Sequence, residues 1–143
     1  MGRDAWAGKK RTPEYLDSCR NSPKYEKGEW FLLEDGRGVP AASLIVYRLT
    51  SDSAGIGSIA VPPKKRGKGL ATRLIRSVLR RLDRRRVPHV FLFADIAPEF
   101  YARFGFAALP GRHQKRDGSV CMLRGRSAHG RLKADGFRPP DYF

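Results

Sequence analysis

The run Val61-Pro62-Pro63-Lys64-Lys65-Arg66-Gly67-Lys68-Gly69-Leu70-Ala71 holds the residues whose order could do chemistry. A glycine-rich turn that feeds a helix N-terminus aims several backbone N–H groups at one place, and the helix dipole adds partial positive charge there. Such a place binds phosphate. Gly67 and Gly69 lack the Cβ that would hold a phosphate away, and Arg66 and Lys68 add charge. The spacing excludes two nucleotide motifs, because it is not GxxxxGK[ST] and no GxGxxG follows the strand. The pattern present is Arg-x-x-Gly-x-Ala, from Arg66 to Ala71. Cys19 and Cys121 stand far apart with no CxxC or Cys/His pairing, so neither a disulfide framework nor a metal site is expected. His89 starts a strand and reads as structural, His113 lies in a loop, and His129 falls in a solvated tail.

The elements that must position this loop follow from periodicity. Trp30–Asp35, Ala42–Leu49 and Ile56–Val61 read as three strands of an antiparallel meander, with turns at Gly36–Pro40 and Asp52–Gly55. After the loop, apolar residues at Leu70, Ala71, Leu74, Ile75, Val78, Leu79 and Leu82 mark one stripe of a helix over 70–86. Arg73, Arg76, Arg80, Arg81 and Arg84 take its other side. Pro88 stops it. Val90–Ala94 is an apolar strand suited to burial on both faces. A second helix is expected over Pro98–Phe104 with Gly105 as its C-cap, then strands at Phe106–Leu109 and Ser119–Arg124 around a turn at Asp117-Gly118. Before all of these, residues 1–28 form a polar N-terminal segment with a short helix from Pro13 capped by Thr12. The pattern is α+β, or mixed α/β, with a strand–loop–helix unit at its centre. Residues 1–124 read as a single domain and 125–143 as a basic tail with no period.

Charge narrows the class further. The chain has 143 residues, with 29 Lys and Arg against 14 Asp and Glu, a net +15. Lys64–Arg86 alone holds eleven basic residues and one acid, Asp83, for +10. That block attracts phosphates, whether of a nucleotide cofactor, a nucleic acid or a membrane surface, or it is simply a solvated helix face. No run approaches the roughly 20 apolar residues that cross a bilayer, and the first ten residues lack the apolar core of a secretory signal. The expectation is a cytoplasmic protein with no membrane partner. A nucleic-acid or ribosome partner is the alternative that the basic surface raises. Against it, the aromatics Phe91, Phe93, Phe100, Tyr101, Phe104 and Phe106 sit in core-like segments and do not interleave with the arginines.

With both halves of the pattern in view, the sequence resembles the GNAT acetyltransferase superfamily. The Arg66–Ala71 loop looks like that family's coenzyme A pyrophosphate loop, and Tyr101-Ala102-Arg103-Phe104-Gly105-Phe106 looks like its Tyr-x-x-x-Gly-Phe signature. Two motifs in order, each on the expected element, carry the resemblance over Ile56–Phe106. The resemblance implies a twisted, mostly antiparallel sheet with a V-shaped splay and flanking helices. It also implies direct transfer of an acetyl group from acetyl-CoA, as co-substrate, to a primary amine in a ternary complex.

Residue by residue, Arg66, Gly67, Lys68, Gly69, Leu70, Ala71 and Thr72 would hold the pyrophosphate. Ile59, Ala60 and Val61 would pair with the pantetheine, and an N–H near Val61 would meet the thioester oxygen. Tyr101 matches the tyrosine that supplies a proton to the departing thiolate; its alternative role is a core tyrosine beneath Phe104 and Phe106. The family's strand glutamate is missing, since Gly55–Ala60 contains no carboxylate. Asp95 and Glu99 are the candidate bases, with a water chain ending at Ser58 as a further route. The missing glutamate also keeps open a GNAT-like fold that binds CoA without turnover. The acceptor cannot be read, and a monomer and a homodimer both fit.

Overall fold

The computed structural model describes residues 2–95, 97–114, 118–125 and 138–141. Most of the expected tail, with His129 and Phe137, and Asp117 of the expected turn lie outside the described residues. In chain order the elements are α1 (Arg3–Trp6), α2 (Thr12–Arg20), α3 (Pro23–Glu26), β1 (Glu29–Glu34), β2 (Pro40–Arg48), β3 (Ser53–Ala60), α4 (Leu70–Arg84), β4 (His89–Ala94), α5 (Glu99–Ala102), β5 (Ala107–Ala108) and β6 (Val120–Arg124). The fold is mixed α/β, with one mostly antiparallel open sheet of six strands, ordered β1-β2-β3-β4-β6-β5, and flanking helices. β3 and β4 pair in parallel, Ser53–Ile56 lying against His89–Leu92.

Two compact units divide the chain: Met1–Tyr47 with Ser58–Leu79, and Arg48–Gly57 with Arg80–Phe143. In the first unit, β2 is buried along Ala41–Tyr47, as a strand with neighbours and cover on both faces must be. β1, an edge strand antiparallel to β2, alternates exposed and half-buried residues. The α4 residues Leu74, Ile75 and Val78 are between 1% and 4% exposed, and full burial of one such side chain stabilises by about 1.5–3 kcal/mol. In the second unit, Phe91, Leu109, Cys121 and Leu123 form a buried cluster, on which Leu49 and Phe93 pack. Residues Val90–Ala94 of β4 pair antiparallel with Val120–Arg124 of β6.

The boundaries differ from the sequence reading where side chains take over a backbone role. β3 starts at Ser53, before the expected Ile56, because the turn is tighter: Leu49 and Thr50 N–H both donate to Ser53 O, at 3.1 and 3.2 Å. Thr50 Oγ1 donates to Asp52 Oδ1 at 2.8 Å and secures that turn. Helix α2 starts one residue early, with Arg11 at the cap position, since the Glu14 carboxylate accepts the Arg11 N–H at 3.1 Å and its Nε at 2.7 Å. Helix α5 ends at Ala102, and Gly105 at φ +85° closes the following turn, its N–H donating to Ala102 O. α4 ends at Arg84, and β5 is only two residues long.

Candidate functional site

In the first unit the chain leaves β3 at Ala60 and makes a short 3-10 turn over Pro63–Lys65, closed by Lys65 N–H to Pro62 O at 2.8 Å and Arg66 N–H to Pro63 O at 3.2 Å. Gly67 and Gly69 follow at φ +73° and +70°. A Cβ on either would meet open space, so conformation and not crowding selects glycine here. For any other residue the left-handed backbone costs about 1–2 kcal/mol. The first bond of α4 runs from Arg73 N–H to Gly69 O at 2.9 Å. Among the described residues, no hydrogen bond is donated by the N–H groups of Gly67 through Thr72. A loop and a helix start with this many open donors can serve as an anion cradle.

The cations around it divide into two kinds. Arg66 donates from Nε to Val61 O at 3.0 Å, and its guanidinium pairs with the Asp4 carboxylate. Lys65 pairs with Asp35 at 2.8 Å. That contact, then the Arg37 and Val39 N–H groups, holds the Asp35 carboxyl below its ordinary range. These two side chains brace the loop from within the protein. Lys68 and Arg73 have no ion pair among the described residues, and with Lys65 and Leu70 they line a cavity of about 650 Å3. Ligand pockets run from roughly 300 to 1,000 Å3.

Upstream of the loop, Ser58 has φ +51°, an unusual conformation for a side chain other than glycine inside a strand. It sits two residues past Ile56, the last β3 residue paired with β4, while β3 itself runs on to Ala60. Ile59 is half-buried and Ala60 buried. The Ser58 hydroxyl lies beside the Tyr25 phenol, which also stands near Tyr15 and Cys19. Burial, then Cys19, pushes both phenols up. Sequence spacing gave no sign of this cluster, because α2, α3 and β3 bring its members together from distant positions.

In the second unit, Tyr101 lies on α5 with 7% exposure. The helix starts where Tyr101 N–H donates to Pro98 O at 2.9 Å. Phe100 stands edge-on to the Tyr101 ring at 5.1 Å and to Phe104 at 5.6 Å, and Arg103 lies over Phe100 at 4.9 Å. Burial, with the charge of Asp95 second, pushes the Tyr101 phenol up to about 12. Its hydroxyl has no hydrogen bond to another described residue. Asp95 and Glu99 are both exposed, and Asp95 is close enough to act on Tyr101 through its charge. His113 belongs to a 3-10 turn over Gly111–His113, and His89 is buried at 5%.

A family profile described as an acetyltransferase (GNAT) domain matches residues 20–109. The chain belongs to the GNAT acetyltransferase family. None of the curated proteins matches the sequence. Among solved structures, a GNAT family N-acetyltransferase from Escherichia coli in complex with CoA is similar at 22% identity and TM-score 0.62, over 86% of this chain and 69% of that one. Tetrahymena GCN5 aligns at 15% identity and TM-score 0.64, over 86% and 80%. A GNAT family acetyltransferase from Elizabethkingia anophelis with acetyl-CoA bound aligns at 14% and 0.60, over 80% and 83%. At these identities the structures show the fold alone. They give no support to the nucleic-acid or ribosome expectation.

Among the described residues, no group of three or more His, Cys, Asp or Glu is placed to hold a metal ion. No helix among them is long and apolar enough to cross a membrane.

Proposed function

We propose that this GNAT domain moves an acetyl group from acetyl-CoA to a primary amine by direct attack. The observation that supports this most is the row of open N–H donors from Gly67 to Thr72, held by two left-handed glycines at the start of α4. In this reading those donors take the pyrophosphate, with Lys68 adding charge and Arg66 keeping the loop in shape. Ile59, Ala60 and Val61 pair with the pantetheine amides. The Val61 N–H faces the thioester oxygen as charge develops on it.

The amine nitrogen forms a bond to the thioester carbon, the carbon–sulfur bond breaks, and the amine gives up one proton. A phenol held near 12 keeps its hydrogen throughout the neutral range, so Tyr101 meets the departing sulfur as a hydrogen-bond donor. Asp95 and Glu99 are the carboxylates assigned to take the amine's proton, and Ser58 with its water is the further route. The test is release of CoA from acetyl-CoA with peptide, polyamine and amino-sugar amines, read together with the mass of the acceptor. Release that needs an amine and yields its acetylated form supports the proposal. Release without any acetylated amine, or none at all, contradicts it.

A further inference from the structure

The cavity between the β1–β2 turn and the start of α4 carries charges that a diphosphate on the cradle does not use. Its volume is about 650 Å3, and the residues that line it all belong to the first unit. Lys65 and Asp35 line it but hold each other at 2.8 Å. Glu34, Lys68 and Arg73 are exposed, and none of the three has an ion pair among the described residues. Ala41, 2% exposed, and the half-buried Leu70 add an apolar patch.

The cradle and the cavity adjoin. Lys68 and Leu70 line the cavity, and their N–H groups belong to the row of open donors from Gly67 to Thr72. Arg73 follows Leu70 by three residues, a rise of about 4.5 Å along α4. Its N–H is already spent on Gly69 O at 2.9 Å. What Arg73 offers a ligand is its guanidinium, a planar fork suited to two oxygens of one phosphate. A molecule with its diphosphate on the cradle has this fork beside the next group along.

The side chains then choose among anions. A bare phosphate is drawn to Arg73 and Lys68 but repelled by Glu34, whose carboxylate it leaves without a donor. A nucleoside phosphate suits all three. Its phosphate takes the cations, its hydroxyl or amino groups donate to Glu34, and its base lies on Leu70 and Ala41. Coenzyme A ends in such a group, an adenosine whose ribose carries a phosphate monoester at the 3′ position beside the diphosphate. We infer that this cavity holds the adenosine 3′-phosphate of the co-substrate, with Arg73 on the monoester and Glu34 on the nucleoside, so that the protein selects CoA against its dephospho form. The inference rests on the CoA reading proposed above and adds to it a residue that sets co-substrate specificity.

The experiment titrates the full chain calorimetrically with CoA and with dephospho-CoA at moderate salt. Removing a charge-assisted contact to the monoester should make dephospho-CoA bind about tenfold or more weakly than CoA. Arg73→Gln should weaken CoA by a similar factor, leave dephospho-CoA nearly unchanged and so close most of the gap. Net charge alone would also favour CoA, and Arg48→Gln controls for it. Arg48 stands at the far end of β2 from Ala41, about 23 Å away at the rise of a strand, and its loss should leave the gap open. Glu34→Gln should weaken both compounds alike. The inference is overturned if dephospho-CoA binds the unmodified protein as tightly as CoA, if Arg48→Gln closes the gap as far as Arg73→Gln does, or if Glu34→Gln tightens CoA. Binding of neither compound would remove the CoA reading itself, and this inference with it. The comparison of the two compounds needs no variant, so it decides the matter even where a substitution disturbs folding.

Discussion

Replacing Tyr101 with Phe removes one oxygen and leaves the ring against Phe100. The hydroxyl has no hydrogen bond to another described residue, so no hydrogen bond among them is lost, and the melting temperature near neutral pH should change little. The rate effect can be bounded. Full transfer of a proton from a phenol at about 12 to a thiolate near 8.5 runs uphill by roughly 3.5 units, or about 5 kcal/mol. In the proposed reaction Tyr101 therefore acts by hydrogen bonding to the developing thiolate, an interaction of about 1.5–3 kcal/mol. The expected fall in kcat is about 10- to 150-fold, at the low end of what a general acid supplies. The affinity for acetyl-CoA should hold. The assay is steady-state thiol release with an amine acceptor that supports turnover, beside calorimetric binding of acetyl-CoA. An acetyl thioester of a more acidic thiol should shrink the defect, because its thiolate needs less help. A variant that keeps more than half of kcat refutes the role, and one that loses activity equally with every leaving group refutes the reasoning behind it.

Further outcomes follow from the same geometry. Because burial raises the folded pKa of Tyr101 above its ordinary 10, the stability it contributes is fully present below pH 10 and is lost as pH rises through about 12. The Phe variant should therefore lose roughly 3 kcal/mol less than the native chain across that window, measured by urea unfolding at stepped pH; parallel curves would show the phenol is not buried in solution. Gly69→Ala should cost about 1–2 kcal/mol of stability from its left-handed backbone alone, and an unchanged urea midpoint would place that residue elsewhere in the backbone map. Asp4→Ala removes a brace of the Arg66 loop, so acetyl-CoA should bind a few-fold more weakly at both low and high salt. Tighter binding confined to low salt would mean that Asp4 only screens the Arg66 charge. Ile75→Ala empties a 1%-exposed position and should cost about 2–5 kcal/mol, read from the same denaturant midpoint.

Much of the site was legible in the sequence where the signal was local. The stripe through Leu74, Ile75, Val78, Leu79 and Leu82 fixed α4, and the glycines before it read as a turn into its N-terminus, while their left-handed backbone shows only in the structure. What was not legible came from partners far apart in the chain. Arg66 and Asp4 are separated by 62 residues and Lys65 and Asp35 by 30, so no window showed that Arg66 already has a carboxylate. The bend at Ser58 was hidden for another reason: serine carries no mark of positive φ, and its place beside Tyr25 depends on where α3 lands. Gly55 misled because glycine in a polar stretch reads as a turn, whereas here it lies within β3 opposite Phe91. His89 read as structural from its place at a strand start, and the structure buries it there at 5% exposure.

The central claim is that the Gly67–Thr72 cradle holds the diphosphate of acetyl-CoA, and calorimetric titration with acetyl-CoA at moderate salt tests it most directly. Inorganic polyphosphate is the needed control, since a chain of net +15 attracts any polyanion. The account predicts one-to-one binding in the micromolar range, much weaker binding of polyphosphate, and loss of the acetyl-CoA signal in a folded Gly69→Glu variant. Acetyl-CoA binding no tighter than polyphosphate, or binding that survives Gly69→Glu, would contradict it.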